Sequence, residues 1–409
     1  MTVAHTGTDS KAAPPRPLGG VRVVDLTGAI GAYCTRILAD LGADVVKVEP
    51  PAGDPMRSRP PFKRGVMGPE ASLVFAAYHA NKRGVTLDAG VDAALPLLSE
   101  LAATADVVVV SPTRKAPLAG FDWDEPSLSW VPGGAVVVAL TPFGLSGPFR
   151  ELRSTPFVSF AFGGGMHHIG RPDGPPVAVP GQQLWDYAGL AGAIGALAAL
   201  HARPRVGGQV LDVSVHEAAT AMDFLIERYD AEGAGRRNRG AGIGYPPTGT
   251  WWCEDGALEV SCHQQHHWQA FLHMLDDPDE LSEPSLNDPL VRREAFEGLR
   301  EVIARLMASR KVLDLFERGQ AAGLPCNPLY SVAQFVRDPQ ARSRGLFVEM
   351  TKAGLGTVEL PWKSFSSTPR LLELRRPAPS LGEHNVEVFV DELGHTRDEL
   401  ERWRATGLV

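Results

Sequence analysis

The sequence places one carboxylate in surroundings that set it apart from the other acidic residues. Asp186 is the lone charged side chain in the stretch from Leu184 to Ala202, which otherwise consists mostly of Ala, Gly, Leu and Ile. That composition predicts a helix with Asp186 in its N-terminal turn. Unpaired N–H groups and the helix dipole stabilise an ionised carboxylate there by about 0.3–1 kcal/mol. From position alone, both a helix cap and a catalytic carboxylate remain open for Asp186.

Cysteine and serine are weaker candidates for nucleophilic chemistry. The sequence contains no G-x-S-x-G element. Cys34 falls on the apolar face of a predicted helix, which favours a small buried hydrophobe over a thiolate. The cysteines, Cys34, Cys253, Cys262 and Cys326, show no C-x-x-C spacing. They predict neither a disulfide framework nor a zinc site, and a reducing cytoplasm suits them best.

A group of histidines has a spacing that metal sites use. His263, His266 and His267 can place their imidazoles on one helical face, and His273 follows closely. No acidic residue stands among them to complete or orient a site, and nearby aromatic residues suggest a packed helix. The pattern favours a histidine cluster at a helix start over a metal site, and we predict no metal.

A glycine pair after the first predicted strand partly matches a dinucleotide-binding fingerprint. Gly28 and Gly31 follow that strand, and Glu49 stands about 20 residues further on. The fingerprint needs three glycines, and the first of them would fall on Leu26. The sequence therefore favours a βαβ unit with another ligand or a structural role over NAD binding.

Apolar, β-branched runs alternate with helical patterns through the first third of the chain. Helical periodicity occupies 28–41 and 91–104. The strand-like runs cover 21–26, 43–50, 84–88, 106–111 and 134–141. Continuous apolar strands between helices are typical of a buried parallel sheet. The predicted fold class is α/β, with a Rossmann-like parallel sheet in a large domain.

Composition changes after a second helical region. A long helix over 184–202, a strand over 209–215 and a helix from His216 precede a Gly-rich, basic segment at 231–247. A β pair at 248–262, turning at Asp255-Gly256, and a helix over 295–319 follow, and a last helix spans about 398–406. We predict a flexible tail at 1–16, a large domain at 17–230, a smaller α+β domain at 231–330 and a C-terminal segment at 331–409.

Composition and charge exclude several classes of protein. Apolar residues make up 44% and charged residues 22%, as in ordinary globular proteins. Asp and Glu number 48 against 40 Lys and Arg, which argues against binding nucleic acid through its phosphates. No helical stretch reaches the ~20 apolar residues of a membrane span, and the start lacks the apolar core of a signal peptide. We expect a cytoplasmic protein with neither nucleic-acid nor membrane partners.

Several blocks, in order along nearly the full chain, resemble the class III CoA-transferases of the CaiB/BaiF group, which include formyl-CoA transferase, carnitine CoA-transferase and α-methylacyl-CoA racemase. The blocks are PLGGVRVVDLT (17–27), LADLGADVVKVEPPAGDPMR (38–57), NKRGVTLD (81–88), LTPFGLSGP (140–148), WDYAGLAGAIGALAALHAR (185–203), GGQVLDVSVHEA (207–218), AGLPCNP (322–328), RDPQARSRGLF (337–347) and RRPAPSLGEHN (375–385). This order implies the family's fold: an interlocked, ring-like homodimer whose large domain takes in both chain ends.

The resemblance implies that Asp186 is a nucleophile, with Gly189 completing the D-x-x-G block. The carboxylate would attack an acyl-CoA to form a mixed anhydride, and the CoA thiolate would then give an aspartyl-CoA thioester. Backbone N–H groups at the helix start could stabilise the anionic intermediates. A glycine-rich loop that closes over the site would correspond to Gly240, Gly242, Gly244 and Tyr245. Coenzyme A and a carboxylic acid are the implied ligands, without NAD or metal.

The loop at 111–120 departs from the family pattern, so several residues are candidates for contact with CoA. Each basic candidate can pair with phosphate or be an ordinary surface charge. The candidates are Asn81, Lys82, Arg83, Arg114, Lys115 and Arg153.

Alternatives within and outside the family stay open. A racemase would carry a His-Asp pair where this chain has Thr155-Pro156. Proton exchange at Cα would therefore lack its second base, unless His167 or His168 reaches the site. A component of a CoA-dependent dehydratase and a catalytically silent CoA-binding homologue are further possibilities. An NAD oxidoreductase is the alternative from a different class.

Overall fold

A computed structural model describes residues 16–112, 118–122, 127–171, 174–221 and 246–409. These residues divide into two compact units. The first comprises the described residues within Met1–Ile169, Pro175–Arg236 and Gly345–Val409, and the second those within Gly170–Gly174 and Arg237–Arg344.

Six parallel strands form the central sheet of the first unit. They are β1 (Arg22–Leu26), β2 (Asp44–Glu49), β3 (Arg83–Thr86), β4 (Val107–Val110), β7 (Val136–Thr141) and β8 (Val210–Ser214), and β5 (Phe121–Asp122) pairs separately with β6 (Ser127–Leu128). The order across the sheet is β3-β2-β1-β4-β7-β8, with every pairing parallel. Strand order reverses direction after β1, as in doubly wound Rossmann-like sheets. The predicted α/β fold class is confirmed.

Helices cover both faces of this sheet. They are α1 (Ala32–Asp40), α2 (Leu73–His79), α3 (Leu95–Ala103), α4 (Pro156–Phe162), α5 (Gly165–His168), α6 (Gln183–Val206) and α7 (Val215–Ala221). Successive β1 residues face opposite sides: Val23 packs with α1 and α6, whereas Val24 packs with α3 and the C-terminal helical segments. Because both faces of the inner strands are buried, β4 (VVVV) and nearly all of β7 (VVVALT) are apolar, which is why this pattern was readable in the sequence.

The C-terminal segment completes the first unit. It contains an antiparallel hairpin, β12 (Phe347–Lys352) and β13 (Gly356–Pro361), a π-helix at Val386–Glu392 and α13 (Arg397–Ala405). Sequence patterns predicted only the last helix here. The β12–β13 hairpin and the π-helix were missed because prolines and short alternating runs gave no clear hydrophobic period.

Two side chains of this segment close the outer edge of the sheet. The Gly84 N–H in β3 donates to His384 Nδ1 at 3.1 Å, and the Thr86 N–H donates to Asn385 Oδ1 at 2.8 Å. His384 N–H donates in turn to the Gly84 carbonyl at 2.9 Å. The G-E-H-N motif therefore satisfies backbone groups that an edge strand would otherwise leave open.

A three-stranded antiparallel sheet and a set of helices form the second unit. Its strands are β9 (Gly249–Cys253), β10 (Gly256–Val260) and β11 (Cys326–Pro328), and its helices are α8 (Gln265–Met274), α9 (Pro289–Ala308), α10 (Val312–Ala321), α11 (Val332–Phe335) and α12 (Pro339–Ser343). The predicted β pair is confirmed, but its turn lies at Glu254-Asp255, one residue earlier than predicted, because Gly256 already pairs with Cys253. The amphipathic helical structure predicted over 295–319 is present as two helices, α9 and α10, and at their junction the side chains of Ser309 and Arg310 both donate to the Leu306 carbonyl near the end of α9.

The division into units differs from the predicted boundaries at the C-terminal end. Residues 331–344, which the sequence assigned to the C-terminal segment, lie in the second unit, and the first unit resumes at Gly345. The reason is visible at Leu329, whose N–H donates to the Ala257 carbonyl and so leads the chain along the small sheet. In the ranges that the structure describes, no helix combines the length and apolarity that crossing a bilayer requires.

Candidate active site

Asp186 lies in the first turn of α6 but does not cap it. Gln182 occupies the N-cap position, and no side chain caps the helix there. The backbone N–H groups of Trp185 and Asp186 donate to the Gln182 carbonyl at 2.8 and 3.1 Å. The capping role left open by the sequence is therefore wrong. Of the backbone N–H groups at this helix start, which we expected to stabilise anionic intermediates, those of Trp185 and Asp186 are engaged within the helix.

Neutral donors hold the Asp186 carboxylate. The Tyr78 hydroxyl lies 3.0 Å from Oδ1 and 2.9 Å from Oδ2, and Gln182 Nε2 donates to Oδ1 at 3.2 Å. Arg59 Nη1 donates to Gln182 Oε1, which fixes the amide so that its NH₂ faces Asp186. The ring of Tyr33 meets that of Tyr78 edge-on, with centroids 6.2 Å apart. A carboxylate held in this way is oriented while keeping its negative charge.

The surroundings of Asp186 shift its acidity in opposing directions. Burial raises the pKa of the Asp186 carboxyl above its ordinary value. Hydrogen bonds from Gln182 and Tyr78, and the charge of Arg59, counter part of this rise. A less stabilised carboxylate is a better nucleophile than one neutralised by an ion pair.

Gly189 allows α6 to approach α1 closely. A Cβ at this position would lie 3.0 Å from the Cys34 backbone nitrogen and 3.1 Å from Tyr33 Cβ. The residue expected to belong to the catalytic block thus positions Asp186 through packing. Cys34 is fully buried in this contact, and burial raises the pKa of its thiol to about 12, as expected for a structural cysteine.

A cavity of about 460 Å³ opens beside Asp186 within the first unit. Its walls come from α1, α2, the start of α6 and the segment after β13. The lining residues are Tyr33, Arg36, Ile37, Asp40, Ala77, Tyr78, Gln183, Asp186, Tyr187, Leu190, Pro361, Trp362, Lys363, Ser364 and Leu372. The site therefore combines one carboxylate held by neutral donors with a mainly apolar pocket.

The Lys82 side chain is bonded inside the protein and is not among the residues that line this cavity. Its ammonium is fully buried and bonds Asp25 Oδ2 at 3.0 Å and Thr35 Oγ1 at 2.7 Å. Burial alone would raise the pKa of Asp25, but Lys82 and Lys47, with two hydroxyl hydrogen bonds, lower it to about 2. This pair ties β1 to the residue that precedes β3, and Thr35 adds α1 to the same cluster.

Asn81 and Arg83 are likewise engaged within the first unit. Asn81 donates to Asp40 Oδ1 at 2.6 Å and accepts from the Arg375 N–H at 2.6 Å. The Arg83 guanidinium binds Asp44, Glu387 and Glu392. The structure argues against the predicted contacts of Asn81, Lys82 and Arg83 with CoA, because all three side chains are buried and bonded within the first unit. Asn81 and Arg83 join the start of β3 to the C-terminal segment, and Lys82 bonds β1 and α1.

The remaining predicted residues are not among those that line the cavity, or they lie outside the described residues. Arg153 is exposed just before α4, and Thr155 caps that helix by accepting from the Val158 N–H at 3.2 Å. Arg114, Lys115, Gly240, Gly242, Gly244 and Tyr245 lie outside the described residues, as do the side chains of His167 and His168.

Other sequence candidates have structural roles. His267 Nδ1 accepts from the N–H groups of His263 and Gln264 at the start of α8, so the histidine cluster begins a helix as expected. Glu49 is buried against Arg57, with Nε 2.6 Å from Oε2. In the described ranges, no three His, Cys, Asp or Glu side chains come together as metal ligands would.

Sequence reasoning missed the residues that hold and surround Asp186. Tyr78 precedes the N-K-R-G block by three positions, and Gln182 precedes Asp186 by one helical turn. The i, i+4 spacing of Gln182 and Asp186 was a readable signal. Tyr78 and Trp362 come from distant segments and had none.

Comparison with known proteins agrees with this fold. The sequence model of CoA-transferase family III matches residues 18–385. The chain is 30% identical over 401 residues to the succinyl-CoA:(R)-benzylsuccinate CoA-transferase subunit of Thauera aromatica, covering 95% of this chain and 97% of that protein. It is 29% identical over 413 residues to the succinyl-CoA–D-citramalate CoA-transferase of Chloroflexus aurantiacus, covering 98% and 100%.

A solved structure shows the same architecture. A CaiB/BaiF family protein from Brucella suis superposes with a TM-score of 0.80 at 26% identity, covering 92% of this chain and 99% of that one. Fold and matches together define a transferase that uses CoA thioesters. The chain belongs to CoA-transferase family III.

Proposed function

We propose that this protein moves CoA from an acyl-CoA donor to a carboxylic acid through Asp186. One observation carries the proposal: in the described part of the chain, the hydrogen-bond donors to the Asp186 carboxylate are neutral, and the carboxylate lies at the wall of a ligand-sized cavity. By contrast, cations neutralise the carboxylates of Asp25, Asp40 and Glu49.

The chemistry follows from a carboxylate meeting a thioester. An Asp186 oxygen attacks the thioester carbonyl carbon, the C–S bond breaks, and the CoA thiolate leaves a mixed anhydride. The thiolate then attacks Asp186 Cγ, releasing the donor acid and leaving an aspartyl-CoA thioester. The acceptor carboxylate reverses both steps, so acceptor acyl-CoA is released and the Asp186 carboxylate is restored without net proton transfer.

Tyr78 and Gln182 orient the nucleophile during these steps. Once an Asp186 oxygen becomes acylated, the same two donors remain within reach of the oxygen that gains charge as the tetrahedral intermediate forms. Acyl transfer is also favoured over proton exchange at carbon, because the chain has Thr155-Pro156 where the resemblance places the racemase His-Asp pair, and the Thr155 side chain is engaged as a helix cap.

Trapping the covalent intermediate tests the proposal. Purified protein is incubated with a panel of acyl-CoAs that includes succinyl-CoA and formyl-CoA, quenched with hydroxylamine or borohydride, and mapped by peptide mass spectrometry. We expect modification at Asp186 that is absent in Asp186→Asn and retained in Asp391→Asn, an exposed carboxylate. CoA binding without any adduct, in native protein whose oligomeric state has been measured, would contradict the transferase mechanism.

Assembly as an interlocked homodimer in the cytoplasm stays a prediction.

A further inference from the structure

The cavity beside Asp186 is larger and more aromatic than a small acyl group needs. Its volume of about 460 Å³ falls within the ~300–1,000 Å³ of sites that bury drug-sized ligands. A formyl or acetyl group would fill only a small part of that space. Tyr33, Tyr187 and Trp362 line it together with aliphatic side chains, so the surface offered to a ligand is predominantly apolar.

The charged lining residues leave this apolar character in place. Arg36 and Asp40 bond each other, with Nε 2.7 Å from Oδ1, so they present no net charge. Lys363 is half-buried. A partly exposed lysine contributes less to binding than the burial of an apolar body against several rings.

The alternative occupant of the cavity, the pantetheine arm of CoA, fits these walls poorly. That arm carries two amides, each of which needs hydrogen-bond partners when it leaves water. Gln183 and Ser364 are the uncharged polar lining residues besides the tyrosines. A hydrocarbon or aryl group meets no such requirement.

We propose that this cavity receives the acyl group, and that one of the two exchanged acids carries an aromatic or comparably bulky apolar body. The inference rests on the proposed role of Asp186 and names the substrate class of that site. The carbonyl carbon meets the Asp186 carboxylate at the cavity wall, while the body of the acid packs between α1 and α6. The covalent steps are those already given, and no further reactant is required.

Leu190 provides a way to fill the cavity without touching Asp186. It lines the cavity on α6 and is 42% exposed, so tryptophan can be introduced without disturbing the core. Ile194 lies one turn further along, is 60% exposed and is not among the lining residues, which makes Ile194→Trp the matched control.

The first measurement is the rate of Asp186 acylation by 3-phenylpropionyl-CoA and by acetyl-CoA. We expect the native protein to prefer the aryl substrate at least about tenfold, since each well-placed methylene discriminates about 10-fold or more. Leu190→Trp should slow the aryl substrate far more than acetyl-CoA and so remove the preference, whereas Ile194→Trp, outside the cavity, should keep the native rates with both substrates. Equal rates in the native protein, or equal slowing of both substrates in Leu190→Trp, would overturn the inference.

A binding measurement separates this inference from the proposed function. Calorimetry with Asp186→Asn, which cannot form the adduct, should show at least about tenfold tighter binding of 3-phenylpropionyl-CoA than of acetyl-CoA, and Leu190→Trp in that background should abolish the difference. If binding discriminates but native protein forms no adduct, the transferase mechanism fails and the acyl site stands. If adducts form but binding does not discriminate, the acyl site fails alone. A change of oligomeric mass in Leu190→Trp with unchanged selectivity would assign the cavity to a subunit contact and also overturn the inference.

Discussion

Individual carboxylates in the first unit differ in their partners, and this difference separates structure from chemistry. Asp25 bonds a buried lysine, and Glu49 bonds a buried arginine, so both charges are neutralised where they stand. Asp186 is held by a phenol and an amide. Neutral donors fix the position of a carboxylate without pairing its charge, which suits a group that must attack an electrophile.

The Tyr78 hydroxyl is expected to set the acid limb of Asp186 acylation. Burial raises the pKa of Asp186 and the Tyr78 hydrogen bond lowers it, so Tyr78→Phe should raise it further and move the acid limb to higher pH. Hydrogen bonds to charged groups contribute about 1.5–3 kcal/mol, so on that limb the acylation rate should fall at least about tenfold.

Acylation rates measured against pH check this role of Tyr78. Tyr187→Phe, another cavity residue, serves as the control and should leave the profile in place. A Tyr78→Phe profile that superposes on the native one would show that the hydroxyl does not act on Asp186.

At the scale of elements, α1 and α6 form the joint that places Asp186. Gly189 lets the two helices touch backbone to side chain, and Gly192, one turn along, faces Leu140 and the Cys34 sulfur. Glycine at such a contact lowers helix propensity but permits the approach. The glycines of α6 therefore form part of the site even though they carry no chemistry.

Gly189→Ala is expected to destabilise the protein by about 1–3 kcal/mol, as overpacking of a tight contact does. The added Cβ would lie 3.0 Å from a backbone atom that cannot move aside. Gly298→Ala, in the interior of α9 with open space around it, should instead stabilise by about 0.5–1 kcal/mol.

Urea unfolding midpoints of the two variants measure this contrast. A Gly189→Ala variant as stable as the native protein would mean that α1 and α6 are not packed as closely as described.

How much of this was predictable depended on whether an element carries its own pattern. The strands β4 and β7 were readable because burial on both sides makes them almost continuously apolar, and α6 was readable because its long run of Ala, Gly, Leu and Ile is typical of a helix. Asp186 was found because it interrupts such a run. Tyr78 and the cavity walls were not, because a hydrogen bond joining residues 108 positions apart leaves no local trace. For the same reason Lys82, which looked like a phosphate ligand, was assigned wrongly: its partner Asp25 lies 57 positions away. Gln182 was missed although its i, i+4 spacing from Asp186 was readable.

For the whole molecule, buried histidine makes stability depend on pH. His79 is fully buried, stacked on Phe75 at 4.3 Å between ring centroids, with Nδ1 3.1 Å from the Lys82 ammonium. Burial, and then the charges of Lys82 and Lys47, hold the pKa of His79 well below its ordinary 6.5. Below pH 6.5 the unfolded chain therefore binds a proton at His79 that the folded chain does not bind. The free energy of unfolding consequently falls as the pH decreases from there.

His79→Phe should flatten the loss of stability between pH 7 and 5, by at most about 1.4 kcal/mol per pH unit for one proton. Phenylalanine keeps the stack on Phe75 and removes the titrating group. The unfolding midpoint against pH measures the effect, and His273→Phe, at an exposed position, is the control. A second loss should follow at lower pH in both, as Asp25 protonates between its ordinary 3.8 and about 2. An unchanged slope in His79→Phe would show that His79 is not the group responsible.

The closure of β3 by the G-E-H-N motif has a consequence for how the protein is made. Gly84 and Thr86 await partners that lie 300 and 299 positions later in the chain. At about 5–20 residues added per second, a nascent chain spends roughly 15–60 seconds on the ribosome between synthesising the strand and the motif that seals it. During that interval the open strand is a template for pairing with a neighbouring nascent chain. Synthesis at high polysome density therefore exposes this protein to aggregation before it is complete, and a chain that stops short of His384 never leaves that state.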